Sequence, residues 1–269
     1  MNRLGVLGWP VAHSRSPAIQ NAALKAVGLG DSWRYQLLPV PPELFVETVT
    51  ALPNQGFKGA NVTIPHKSAA LALASGGTGR AAAIGAANTL LFHEDGSIGA
   101  DNTDAPALTT ELRRRIDLAG ATAMVLGAGG SARAAVWALL DARAAEVRVW
   151  NRTPERAAAL CSELGGTPVT EISAADVLVN CTSVGLDAQD SVEMLPLPPA
   201  GLSAFAVVAD LVYREGGAVV TRAARAAGVA TVDGLELLVA QGAIAFELFT
   251  GIPAPVDAMR GAVGLCSAP

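Results

Sequence analysis

Residues 121–132 read Ala-Thr-Ala-Met-Val-Leu-Gly-Ala-Gly-Gly-Ser-Ala. The apolar run Ala123–Leu126 predicts a strand, and a helix is expected to start near Ser131, so the glycines fill a strand-to-helix turn. Gly127, Ala128, Gly129, Gly130, Ser131 and Ala132 match the G-x-G-x-x-G/A pattern. In that pattern the first glycine permits the tight turn, the second lets backbone approach a pyrophosphate, and the small third residue lets helix and strand pack closely. The phosphates rest on the helix N-terminus, where unpaired N–H groups and the macrodipole favour an anion. The flanking strand and helix favour this reading over a bare glycine turn.

The tip of the next strand decides which dinucleotide is expected. An acidic residue roughly 20 positions on holds the ribose diol of NAD, whereas this chain has Asn151-Arg152-Thr153 after the strand Val147–Trp150, with Arg156 one turn later. Guanidinium groups fork onto a 2′-phosphate. The expected cofactor is therefore NADP, with Asn151, Arg152, Thr153 and Arg156 among its contacts, although Pro154-Glu155-Arg156 also suits an ordinary helix entry.

Further strands at Val177–Asn180, Ala206–Ala209 and Ala230–Val232, separated by helical segments, predict a doubly wound Rossmann domain over 106–237. Upstream, the expected strands are Leu4–Leu7, Trp33–Leu38, Gly59–Thr63, Asn88–Phe92 and Ile98–Ala100, with helices at Pro17–Val27 and Glu43–Leu52. That alternation predicts an α/β domain with a mostly parallel sheet. Helical patterns at Leu235–Thr250 and Val256–Val263 are expected to return to it, giving a first domain of 1–105 plus 238–269 and a cleft between two domains. Ligands in such sheets sit at the carboxyl ends of strands. Polar residues collect there: Ser14, Ser16, Asn61, Thr63, Lys67, Asn88 and Asp104.

Composition narrows the class further. A chain of 269 residues that is 51% apolar can bury two cores, and a net charge of −5 offers no footprint for nucleic acid. The three cysteines have no metal-ligand spacing and suggest a reducing compartment. His13 and His66 also lack a ligand partner at metal spacing, so no metal site is expected. Without a signal-peptide pattern or an apolar run of roughly 20 residues, the expectation is a cytoplasmic protein with no membrane association.

Taken together, Ser-x-Ser-Pro at 14–17, Asn-Val-Thr-Ile-Pro-His-Lys at 61–67, Gly-Ala-Ala-Asn-Thr at 85–89, Asp-Asn-Thr-Asp at 101–104, the Gly127 turn, Asn-Arg-Thr at 151–153 and Asp-Gly-Leu-Glu-Leu-Leu-Val-Ala-Gln at 233–241 resemble the shikimate dehydrogenase family along nearly the whole chain. The resemblance implies reversible NADPH-dependent reduction of 3-dehydroshikimate to shikimate. It implies hydroxyl donors to the substrate carboxylate from Ser14 and Ser16, and contacts to ring hydroxyls from Asn61, Asn88 and Gln241, whose amides both donate and accept. Thr63 lines the same pocket. Lys67 and Asp104 flank the reacting oxygen as catalytic groups, and whether Lys67 delivers the proton or only stabilises the alkoxide stays open. Tyr213 matches a family tyrosine near the cleft between domains and is expected among the substrate contacts, and Gly234 matches a backbone contact near the nicotinamide; both also suit simple packing.

The chain departs from the family pattern at Ala105 in place of glycine, at Ser75-Gly76-Gly77 in place of an acidic pair, and at Ala218-Val219 in place of Thr-Pro. Two other readings remain at this level: a quinate/shikimate dehydrogenase with a looser pocket, and a non-catalytic sensor that keeps the pocket without the chemistry. Arg152 speaks against NAD use, and the joint presence of Lys67 and Asp104 against the sensor. The small-molecule partner is expected to meet a monomer or a homodimer.

Overall fold

The computed structural model describes residues 1–187, 189–198, 200–214 and 216–266. The chain forms two units, Met1–Thr103 with Val239–Pro269, and Asp104–Leu238.

The first unit contains β1 (Asn2–Gly8), α1 (Ser16–Ala26), β2 (Trp33–Pro39), α2 (Phe45–Ala51), β3 (Phe57–Val62), α3 (Lys67–Leu73), β4 (Gly76–Gly77), α4 (Gly79–Ile84), β5 (Thr89–Phe92) and β6 (Ile98–Asp101). The sheet order is β2-β1-β3-β5-β6-β4. β1 lies between parallel partners, with Leu4 opposite Tyr35 on one side and Val6 opposite Asn61 on the other. A strand in that position is covered on both faces, which is why Leu4 to Gly8 are all buried. β5 and β6 form an antiparallel hairpin. Asp95 closes its turn by accepting from the backbone N–H and the hydroxyl of Ser97.

Two helices were not expected from sequence. α3 begins at Lys67, directly after the Pro65-His66 corner. α4 is capped by Thr78, whose hydroxyl accepts from the N–H of Ala81 at 3.1 Å, and ends at Gly85 in the left-handed region. The glycine pair at 76–77, read as a departure from the family pattern, forms the short edge strand β4 beside β6.

The second unit contains α5 (Asp104–Arg113), β7 (Thr122–Leu126), α6 (Gly130–Asp141), β8 (Glu146–Trp150), α7 (Pro154–Leu164), β9 (Thr167–Val169), β10 (Ala175–Asn180), β11 (Phe205–Asp210), α8 (Val219–Ala226) and β12 (Ala230–Val232). All strand pairs are parallel, in the order β12-β11-β10-β7-β8-β9. β9 was not expected; Pro168 lies in it, and an edge strand tolerates proline because one side of its backbone needs no partner.

Alternation along β7 divides the core. Ala123 and Val125 pack with Ala135, Val136, Leu139 and Val149. Met124 and Leu126 pack on the opposite face with Leu178, Val208 and Val220. Each large aliphatic side chain removed from water contributes about 1.5–3 kcal/mol, so a strand buried on both faces anchors the sheet at its centre. The chain order reverses between β7 and β10, a topological switch point where doubly wound sheets bind ligands. From Val239 onward, the remainder of α9 (Gly234–Thr250) and α10 (Val256–Gly261) belong to the first unit. No helix among the described residues is long and apolar enough to cross a membrane.

Candidate active site

At the ends of β3, β5 and β6, side chains meet in a buried hydrogen-bond chain. Asn61, on β3, donates from Nδ2 to the carbonyl of Asn88 at 3.2 Å and to Thr89 Oγ1 at 3.1 Å. Its Oδ1 accepts from the hydroxyl of Tyr35 at 2.8 Å. Asn88 Oδ1 accepts from the N–H of Thr103 at 2.8 Å and from Thr89 Oγ1 at 3.1 Å, while Asn88 Nδ2 donates to Thr103 Oγ1 at 2.9 Å. Thr103 Oγ1 also stands 3.4 Å from Gln241 Oε1 on α9. Asn61, Asn88, Thr89 and Thr103 are buried. An unpaired polar group there costs more than a made bond returns, so these partners fix the amide orientations. Asn61 was expected to offer a ligand both donor and acceptor. Both of its N–H groups are used within the protein, leaving the second lone pair of Oδ1.

Lys67 is the first residue of α3 and is buried. Its carbonyl accepts from the N–H of Ala87 at 2.9 Å, so its backbone is fastened next to Asn88. Thr63, half-buried just after β3, closes the intervening turn by accepting from the N–H of His66 at 2.9 Å. His66 is a packing residue: its ring stacks on Phe45 at 4.4 Å, and Nε2 lies 2.8 Å from the carbonyl of Val40. The serines form a separate pair, with the N–H of Ser16 donating to Ser14 Oγ at 3.3 Å. Ser16 lies inside α1, whose cap position is Arg15. Pro17 has no N–H, so the first-turn donor that needs an acceptor is that of Ser16, and Ser14 supplies it.

Sequence reasoning did not single out Tyr35, Thr89, Thr103, Asp101 or Arg80. Thr89, Thr103 and Asp101 lie inside quoted motifs, but Tyr35 is 26 residues from Asn61 in the chain and carries no local signal. Asp101 is held by Arg80 Nη2 at 2.8 and 2.7 Å and by Thr78 Oγ1 at 2.7 Å, and accepts from the N–H of Asn102 at 2.7 Å. Asn102 in turn donates to the carbonyl of Ala86 at 3.0 Å. This cluster fixes the backbone that runs into Thr103. Asp104, half-buried, opens α5 as the first residue of the second unit.

In the second unit the glycine turn fits a dinucleotide. Gly127 has φ of 107°, and a Cβ there would stand 3.0 Å from the carbonyl oxygen of Cys181, so only glycine serves. A Cβ at Gly129 would meet nothing within 4 Å, which leaves the approach to α6 open. Ala128, Gly130 and Ser131 are half-buried and Ala132 is buried against the sheet. Gly127 donates to the carbonyl of Trp150 at 2.8 Å, joining the turn to the end of β8. There Asn151 Nδ2 donates to the carbonyl of Thr153 at 2.8 Å, and Arg152, Thr153 and Arg156 are exposed.

At the ends of β10 and β11, Asn180 Nδ2 donates to Asp210 Oδ1 at 2.9 Å, and the N–H of Val212 donates to the same oxygen at 3.0 Å. Burial pushes the Asp210 carboxyl up to about 7; the two hydrogen bonds oppose that rise, and the charge of Asp233 adds to it. Tyr213 follows, half-buried. Gly234 stands against this segment, since a Cβ there would lie 2.3 Å from the carbonyl oxygen of Val212. Asp233 and Glu236 form a capping box at the start of α9. Asp233 Oδ1 accepts from the N–H of Leu235 at 3.0 Å, and Glu236 Oε2 from that of Asp233 at 2.9 Å. Among the described residues no cluster of three or more His, Cys, Asp or Glu side chains is placed to hold a metal ion.

Family models match three stretches of the chain: "Shikimate dehydrogenase substrate binding domain" over residues 6–90, "Shikimate / quinate 5-dehydrogenase" over 110–191, and "Shikimate 5'-dehydrogenase C-terminal domain" over 234–263. The shikimate dehydrogenase (NADP(+)) of Anaeromyxobacter dehalogenans strain 2CP-1 is 45% identical over 272 residues, covering 96% of this chain and 94% of that protein. That of Paracoccus denitrificans is 42% identical, covering 94% and 92%. The crystal structure of shikimate 5-dehydrogenase from Thermus thermophilus, in complex with NADP(H) and shikimate, is 40% identical and superposes with a TM-score of 0.85 over 98% of each chain.

Proposed function

The chain belongs to the shikimate dehydrogenase family, and from that premise we propose how its own residues perform the reversible reduction of 3-dehydroshikimate to shikimate. The protein is an NADP-dependent oxidoreductase acting on a CH–OH group. The observation that carries the residue assignment is the buried chain joining Asn61, Asn88, Thr103 and Gln241, with Lys67 fastened beside it. It fixes amide and hydroxyl groups at strand ends, as recognition of a polyhydroxylated ring requires.

Bound NADPH supplies the hydride. Lys67 faces the 3-oxygen, where negative charge grows as the carbonyl is reduced, and its ammonium stabilises that charge and provides the proton that completes the hydroxyl. Asp104 holds the same end of the substrate. Asn88 and Gln241 orient ring hydroxyls, and Asn61 accepts from one through Oδ1. Thr63 lines the pocket, Tyr213 is assigned to the substrate by its match to a family tyrosine, and Ser14 and Ser16 donate to the carboxylate. In the dinucleotide unit, Gly127 to Ala132 would hold the pyrophosphate, Gly234 would lie near the nicotinamide, and Asn151, Arg152, Thr153 and Arg156 would hold the 2′-phosphate.

The enzyme so described works in the cytoplasm, as a monomer or a homodimer. Lys67→Ala tests the assignment: the expected result is a large loss of kcat with shikimate affinity retained, and loss of binding with normal kcat would make Lys67 an anchor only.

A further inference from the structure

Asn180 and Asp210 are both fully buried, and neither belongs to the substrate or cofactor contacts assigned above. Their bonds reach into both of the loops that follow β10 and β11. Asn180 Oδ1 accepts from the N–H of Thr182 at 3.1 Å and from its hydroxyl at 2.7 Å, and Thr182 Oγ1 accepts from the N–H of Val184 at 3.1 Å. Asn180 Nδ2 crosses to Asp210 Oδ1, which also holds the N–H of Val212.

Each loop meets a glycine of the dinucleotide site. The carbonyl oxygen of Cys181, between Asn180 and Thr182, stands 3.0 Å from where a Cβ of Gly127 would fall, and that of Val212 stands 2.3 Å from where a Cβ of Gly234 would fall. A shift of either loop would therefore press on, or withdraw from, the backbone that touches the cofactor. We propose that the Asn180–Asp210 pair is a positioning element for NADP: it sets the two loops against which Gly127 and Gly234 are seated. The pair touches neither substrate nor cofactor and acts through that backbone. This rests on the cofactor assignment of Gly127 and Gly234 made above.

Calorimetric titration of NADP, and separately of shikimate, into the full chain and its variants tests the proposal. Asn180→Ala and Asp210→Ala should each weaken NADP binding about tenfold or more and leave shikimate binding within about twofold. Asp210→Asn keeps an acceptor oxygen for Asn180 and Val212 and should stay close to wild type, whereas Asp210→Leu, which fills the core without an acceptor, should weaken NADP binding as Asp210→Ala does. Thr182→Val, which removes only one arm of the network, should weaken NADP binding several-fold and keeps the test open where a core variant does not fold. Wild-type NADP affinity in Asn180→Ala and Thr182→Val, equal loss of both ligands, or Asp210→Asn as damaged as Asp210→Ala would overturn the proposal. Shikimate binding by the wild type with no NADP binding at all would overturn the cofactor assignment beneath it.

Discussion

The N–H of Ala87 donates to the carbonyl of Lys67 at 2.9 Å, so the strand end that carries Asn88 is fastened to the first turn of the helix that carries Lys67. A lysine whose backbone is held in this way, and whose side chain is buried, is positioned before any ligand arrives.

Lys67→Ala should lower kcat by roughly a hundredfold or more, the scale of general acid–base catalysis, with a far smaller change in shikimate affinity. Steady-state rates and a direct binding titration on the same preparation separate the two effects.

Arg152→Asp should abolish the preference for NADP over NAD. It removes charge-assisted hydrogen bonds of about 1.5–3 kcal/mol each and adds repulsion to the 2′-phosphate. The ratio of kcat/KM for the two dinucleotides is the readout, and a ratio unchanged from wild type would move the 2′-phosphate elsewhere.

Ser14→Ala and Ser16→Ala should each raise the KM for shikimate about tenfold or more with kcat little altered and KM for NADP unchanged. The substrate carboxylate is remote from the reacting carbon and keeps its charge, so its binding is nearly uniform between ground and transition states. Ser14→Ala also removes the acceptor for the N–H of Ser16, and should show the larger loss of thermal stability. A fall in kcat matching that of Lys67→Ala would misplace the carboxylate.

Asp210 gives the stability curve a direction. Burial keeps its proton on in the folded protein up to about pH 7, against an ordinary value of 3.8 for the unfolded chain. Between those values the unfolded state binds fewer protons, so this group's contribution, full below pH 3.8, is lost as pH rises and is gone above about pH 7. A tenfold difference in proton affinity between the folded and unfolded chain is worth about 1.4 kcal/mol. Denaturant midpoints at pH 5 and pH 8 should therefore diverge more for wild type than for Asp210→Asn, and equal divergence would mean that the carboxyl is ionised in the fold throughout.

Local patterns carried most of the fold. β7 and α6 declared themselves through an apolar run, a glycine turn and a helical repeat, and β12 through Ala230–Val232. The short elements were harder, because a three-residue strand containing Pro168 or a two-residue strand of glycines has pairing but no pattern. α4 was legible after the fact, since Thr78 and Gly85 are ordinary cap residues around an alanine run. For the site, motifs gave the residues but not their wiring. That Tyr35 consumes one lone pair of Asn61, and that Ser14 rather than Ser16 serves the helix start, depends on neighbours brought close only by folding.

Absorbance at 340 nm, followed with shikimate and quinate, each against NADP and NAD, tests the proposed oxidation of shikimate by NADP. Rapid NADP reduction is expected with shikimate, and far slower reaction with NAD or with quinate. No reduction with shikimate and NADP by a folded protein that binds both, or equal rates with NAD and NADP, would contradict it.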